Sequence, residues 1–260
     1  MNDFARSYGP WALIAGASEG TGAAFARKIA AYGLNCILVA RREGPLDELA
    51  RAIRDESGVA CVTASVDLAA DDAADRLAEL ARDHEVGLFV NNAGADPNGA
   101  AFLDRDIDTW IELAQRNVIT TMRNCHHFGG LMRARGRGGI ILVGSGACWG
   151  GIAGIATYGG AKAFDLVFGE ALWAELRPHH VDVLNLILGQ TDTPAFRAWL
   201  AAKGMPIPPG MAVPDEVAKI GLARLPHGPV HVWGQADDEQ GHAPNSAAAR
   251  RARILAIGGV

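Results

Sequence analysis

Short runs of apolar residues recur along the chain, separated by stretches rich in helix formers. The runs at 11–15 (Trp-Ala-Leu-Ile-Ala), 35–40, 59–65, 87–90, 139–143, 181–188 and 229–233 predict seven strands. Apolar runs of this length without strict alternation suit strands buried on both faces. Between them, 23–32, 46–55, a segment starting near Ala70, 107–135 and the segment from Tyr158 to about Leu176 predict helices. A further helix starts at Val213-Pro214-Asp215-Glu216. Strands and helices in alternation predict an α/β chain with a doubly wound, mainly parallel seven-stranded sheet and helices on both faces. No linker or internal repeat breaks the pattern, so 1–260 is expected to form one domain. The tail beyond Gln235 is polar, then rich in Ala and Arg.

Composition narrows the classes. A chain of 260 residues, 49% hydrophobic and 20% charged, can bury a sizeable core. The net charge of −5 and the absence of a dense Lys/Arg run argue against a nucleic-acid surface. Cys36, Cys61, Cys125 and Cys148 are widely spaced, which suits reduced thiols and offers no metal-ligand cluster, so no metal is expected. His126-His127 lack a nearby ligand partner and read as structural. No apolar run reaches membrane-spanning length, and the first residues lack the layout of a secretory leader. The expectation is a soluble, cytoplasmic protein.

Candidate chemistry gathers where the predicted strands end. Gly16-Ala-Ser18-Glu19-Gly20-Thr21-Gly22 follows the first strand and opens a helix. Glycines there allow close backbone approach, and the first helical amides favour an anionic pyrophosphate. The second strand ends in Ala40-Arg41-Arg42, where an NAD site would want an acidic ribose ligand. Two guanidinium groups suit a 2′-phosphate instead, which predicts NADP(H) rather than NAD(H). Asp67, ahead of Leu68, has two readings: acceptor for an adenine amino group, or cap of the next helix. Asn91-Asn92-Ala93-Gly94 ends the fourth strand, where asparagines can tie strands together and floor a cleft. Asn117 lies inside a helical stretch that asparagine does not favour. Ser145 sits on a glycine-rich loop, and Tyr158 and Lys162 share a helix face at i, i+4. A lysine ammonium near a phenol favours the phenolate, which makes the tyrosine a proton handler for alcohol and carbonyl chemistry.

The helix carrying Tyr158 has apolar residues on every side (Phe164, Leu166, Val167, Phe168, Leu172, Trp173, Leu176). That predicts burial against the sheet on one side and another subunit on the other, hence a homodimer or homotetramer. The stretch at about 189–213, rich in proline and methionine, suits a lid over an apolar substrate. Trp149, Trp199, Met205 and Met211 would then line the pocket, pointing to a hydrophobic ketone or secondary alcohol.

Together these residues resemble the short-chain dehydrogenase/reductase family in its compact form. The resemblance rests on Gly16-x3-Gly20-x-Gly22, Asn91-Asn92-Ala93-Gly94 and Tyr158-x3-Lys162, with Ser145 and Asn117 in the family's remaining catalytic places. It implies a Rossmann-type fold and hydride transfer between a nicotinamide and a carbonyl or alcohol carbon. Tyr158 would pass the proton, Ser145 orient the oxygen, Lys162 lower the tyrosine pKa and bind the ribose, and Asn117 hold a relay water. The resemblance implies that the cofactor lies against the Gly16–Gly22 turn with Ser18, Glu19 and Thr21, against Arg41, Arg42, Asp67 and Leu68, and against Asn92, Ala93 and Gly94. It would continue to Tyr158, Lys162, Gly189 and Thr193. Two positions depart from the family: Leu188 stands where a proline usually precedes Gly189, and Glu19 where many NADP-using members carry a basic residue. The competing readings are an epimerase or dehydratase on the same fold, and a non-catalytic NADP-sensing binding protein.

Overall fold

The computed structural model describes residues 2–236 together with 249, 250, 252 and 256. Most of the tail beyond Gln235 therefore lies outside the described residues. The strands are β1 (Trp11–Ala15), β2 (Asn35–Ala40), β3 (Cys61–Ser65), β4 (Val86–Asn91), β5 (Gly138–Ser145), β6 (Val181–Leu188) and β7 (Val230–Val232). The helices are α1 (Asp3–Tyr8), α2 (Gly20–Ala31), α3 (Glu43–Ser57), α4 (Ala73–Leu80), α5 (Ile107–Ala114), α6 (Thr120–Arg135), α7 (Ala156–Leu176), α8 (Pro194–Ala202) and α9 (Pro214–Arg224). All seven strands pair in parallel in the order β3-β2-β1-β4-β5-β6-β7. The order reverses between β1 and β4, which opens a crevice at the carboxyl ends of those strands.

A parallel sheet needs both faces covered. Phe25 and Ile29 of α2, Leu46 and Ile53 of α3 and Val217 of α9 pack one face. Leu77 of α4, Phe128 and Met132 of α6 and Leu176 of α7 pack the other. α3 shows how the pattern becomes structure. Leu46, Leu49, Ala50 and Ile53 are buried at i, i+3, i+4 and i+7, so one stripe meets the sheet. The helix stops at Gly58, whose φ of 68° is left-handed and whose amide returns to the Arg54 carbonyl. Each such Leu or Ile contributes about 1.5–3 kcal/mol by burial, and Ile53→Ala would cost about 2–5 kcal/mol.

Strand positions agree with the sequence pattern to within two residues, whereas several helices differ. The rod predicted over 107–135 contains a π turn at Gln115–Ile119 between α5 and α6. Asn117 sits in that turn, and its side-chain amide donates to the Leu113 carbonyl at 2.9 Å. A side chain competing with the backbone for that carbonyl accounts for the widened turn. The helix expected near Ala70 starts at Ala73, because Asp67 closes a turn of its own: Oδ1 accepts from the Ala69 amide at 3.0 Å. Asp67 is thus not that helix's cap. α1 was not legible as an element; Asn2 caps it by accepting from the Ala5 amide.

Candidate active site

The crevice has an adenosine-side half built from the ends of β1, β2 and β3. The Gly16 and Ala17 amides donate to the Val39 carbonyl, which bends the chain from β1 into the turn. A Cβ on Gly16 would fall 2.8 Å from the Ala93 nitrogen, and one on Gly22 would run into the Gly16 carbonyl and the Asn92 amide. These two positions hold glycine because backbones meet there. Asn92 Nδ2 donates to the Gly16 carbonyl at 2.9 Å, so the end of β4 is tied to the turn. Asn91 Nδ2 donates to Thr121 Oγ1 at 2.9 Å and ties the same strand end to α6. At the N-terminus of α2, Glu19 makes no side-chain cap, so the first amides face the crevice without a side-chain acceptor. Ser18 is half-buried beside them and Thr21 is buried. This cradle fits a pyrophosphate.

Arg41 and Arg42 are both exposed at the end of β2. Arg42 Nη2 pairs with Glu19 Oε2 at 2.6 Å, so the acidic departure in the turn engages Arg42. The Arg41 carbonyl accepts from Ser65 Oγ, which fixes its backbone against β3. Asp67 is exposed and Leu68 buried, and the Leu68 carbonyl accepts from Thr120 Oγ1 at 2.9 Å. That bond holds α6 to the end of β3. One turn earlier on this rod lies Arg116, a half-buried residue that the motif reading missed. Burial foremost, then the Arg41 guanidinium, hold Arg116 below its ordinary pKa, against the pull of Asp67, Glu112 and Asp96. The signal available was a charged residue directly before Asn117 in a stretch otherwise suited to packing.

The other half is built from the ends of β4 and β5 and the start of α7. Lys162 is buried, and its Nζ donates to the Val143 carbonyl and to Asp165 Oδ2, each at 3.0 Å. The same Nζ lies 5.9 Å from the centre of the Tyr158 ring. Tyr158 itself is half-buried on the first turn of α7. A Cβ on Gly94 would fall 2.9 Å from Lys162 Nζ and 2.5 Å from Asn117 Oδ1. Lysine and asparagine therefore face one another across the space that glycine leaves. Asn117 is buried, and its Oδ1 has no protein partner. Ser145 ends β5, and its Oγ accepts from the Ala147 amide at 3.3 Å. That bond leaves the hydroxyl its hydrogen to donate and a second lone pair to accept with. All four residues of the motif reading thus stand at one end of the sheet. Asp165 was not singled out from the sequence.

Over this end lies the 189–213 segment. Gly189 is exposed just past β6, and Thr193 caps α8 by accepting from the Phe196 amide at 3.2 Å. A Cβ on Gly20 would fall 2.8 Å from Thr193 Cγ2, so the base of the segment rests on the glycine turn. Thr191 and Ala212 bridge its two ends. Phe196 and Trp199 of α8 stack with centroids 5.9 Å apart, and Trp199 faces Gly99 in the loop after β4. Trp149 packs with Cys148, Leu166 and Ile187 beneath. Met205 is 49% exposed just beyond the end of α8. Leu188, in place of proline, is buried and pairs in register with Ser145.

A doubly wound parallel sheet with a glycine cradle at its switch point is the frame on which dinucleotide-dependent oxidoreductases hold their cofactor. Residues 10–204 match the family model for short chain dehydrogenase. The chain belongs to the short-chain dehydrogenase/reductase family. It is 33% identical over 227 residues to a 7β-hydroxysteroid dehydrogenase of Clostridium sardiniense, covering 86% of this chain and 85% of that one. A solved structure described for 7β-hydroxysteroid dehydrogenase stereoselectivity superposes with a TM-score of 0.82 at 30% identity, covering 90% of this chain and 91% of the other. A short-chain dehydrogenase from Sphingobium yanoikuyae in complex with NADPH superposes at 0.78 with 28% identity, covering 95% and 92%. The protein is an oxidoreductase acting on a CH–OH or C=O group with NAD(P). Among the described residues, no helix is long and apolar enough to cross a membrane.

Proposed function

We propose that the protein interconverts a hydrophobic ketone and the corresponding secondary alcohol with NADP(H), using Tyr158, Lys162, Ser145 and Asn117 as its catalytic residues. The observation that carries the reading is the convergence of those four side chains beside the glycine cradle. When bound, the nicotinamide supplies or accepts a hydride at its C4 atom. In the reductive direction Ser145 donates a hydrogen bond to the substrate oxygen and Tyr158 gives that oxygen its proton. Lys162 stabilises the phenolate left behind, and the Asn117 oxygen, buried without a protein partner, holds a water through which the proton is restored. Gly16, Ser18, Gly20, Thr21 and Gly22 hold the pyrophosphate, with Asp67 and Leu68 at the adenine. Asn92, Ala93, Gly94, Gly189 and Thr193 bound the nicotinamide side. Arg41 forks onto the 2′-phosphate; Arg42 must first leave Glu19.

The 189–213 segment serves as a lid within one domain, with Phe196 and Trp199 above the substrate. Ile107, Ile111, Met122 and Leu131 along α5 and α6, and Val167 on α7, are exposed apolar residues. They support a homodimer or homotetramer built on those helices. The test follows NADPH and NADH absorbance with acetophenone, cyclohexanone and a 7-oxosteroid, the last chosen for the relatives' activity. Turnover of at least one ketone, with NADPH at least tenfold preferred in kcat/KM, is expected. Equal or better use of NADH would overturn the cofactor assignment. Inactivity on all three, against turnover of a charged or sugar-like carbonyl, would overturn the substrate class.

A further inference from the structure

Asp165, buried against Lys162, has no part in the scheme above. Lys162 and Asp165 have side-chain exposures of 3% and 2%, and they lie one helical turn apart on α7. Among the described residues the carboxylate accepts one hydrogen bond: Oδ2 accepts from Lys162, while Oδ1 is buried without a hydrogen-bond partner. An apolar residue in that place would bury without such a cost, so the fold itself gains little from the charge. The ammonium gains a great deal. A lysine enclosed by protein with no counter-ion loses its proton at or below neutrality. Around this one stand the Val143 carbonyl of β5, Cys148 from the turn that follows, Tyr158 on the same helix and the neutral amide of Asn117. Cys125 of α6 lies within electrostatic reach of the carboxylate, and burial, then Asp165 itself, push its thiol up, so it brings no charge. Among these groups Asp165 is the carboxylate. Two of the three ammonium hydrogens are used by Val143 and Asp165, which aims the third toward the crevice side.

We infer that Asp165 is a positioning residue: it keeps Lys162 charged and aimed, so that the lysine serves Tyr158 and the cofactor ribose throughout the working pH range. The inference rests on the proposed role of Lys162. Burial alone would push the lysine down; Asp165 first, then Tyr158, outweigh it and hold Lys162 above its ordinary value. Burial pushes the Asp165 carboxyl up against the pull of Lys162.

The chain has four lysines (Lys28, Lys162, Lys203, Lys219), so carbon-13 labelling at lysine Cε gives a resolvable NMR titration, with Lys162→Met assigning the signal. In the parent, the Lys162 signal should keep its ammonium position past the pH at which exposed lysines titrate. In Asp165→Asn, nearly the same size but neutral, it should titrate about two pH units lower or more. With the best ketone of the panel, kcat at pH 8 should fall about tenfold or more. A purely structural carboxylate would lower stability and leave the lysine titration of the folded variant unmoved. That outcome, or a parent signal titrating near neutrality, would overturn the inference. Should Asp165→Asn not fold, Asp165→Ser is read in the same way, and the parent titration stands by itself. Failure of the catalytic reading shows separately, as undiminished turnover in Tyr158→Phe.

Discussion

The two halves of the crevice each hold one close pair of a cation and a carboxylate, and the pairs differ in nearly everything but distance. At the adenosine side, Arg42 and Glu19 meet at 2.6 Å with side chains 56% and 33% exposed. At the reaction side, Lys162 and Asp165 meet at 3.0 Å inside the protein. Water screens the first pair, and such pairs contribute about 0–1 kcal/mol. The second has lost its water, so neither partner can be removed cheaply. A pair that opens readily suits the proposed handover of the guanidinium to a phosphate. A pair that cannot open suits a site where a charge must stay fixed.

The largest break in this comparison comes from Lys162→Met. It removes the charge that the phenolate needs and strands Asp165, and kcat is expected to drop about 10²–10⁴-fold by steady-state assay. Next, Asp165→Leu leaves a buried ammonium without its partner, and chemical denaturation should report a loss of about 3–5 kcal/mol. A change below about 1 kcal/mol would place the pair in the same class as Arg42–Glu19. Arg41→Ala tests the opposite half: NADPH affinity should fall about ten- to hundredfold in fluorescence titration, NADH affinity hardly at all. Glu19→Ala is the smallest. Stability should shift by less than about 0.5 kcal/mol, and NADPH should bind slightly tighter because Arg42 no longer has to be released. Weaker NADPH binding in that variant would show that the carboxylate helps rather than competes.

Much of this was open to reading from the chain. The apolar runs located every strand because both faces of a parallel sheet are buried, and the glycine turn was legible because backbone contact forbids a Cβ at Gly16 and Gly22. Three features were hidden for physical reasons. The π turn follows from how one side chain, Asn117, competes for one carbonyl, and periodicity does not register it. The lid was read as loop, although Thr193 followed by Pro194 is a helix start and α8 forms there. Asp165 was passed over because an acid on an otherwise apolar helix reads as a solvent-facing charge. Only the fold shows that its neighbour three residues back is buried with it.

The catalytic claim is tested most directly by Tyr158→Phe, which deletes one oxygen and keeps the ring. NADPH titration and steady-state kinetics are measured on the same preparation. The account predicts a cofactor dissociation constant within about threefold of the parent and a kcat at least about 100-fold lower. A variant that binds NADPH normally and turns over at the parent's rate would contradict it.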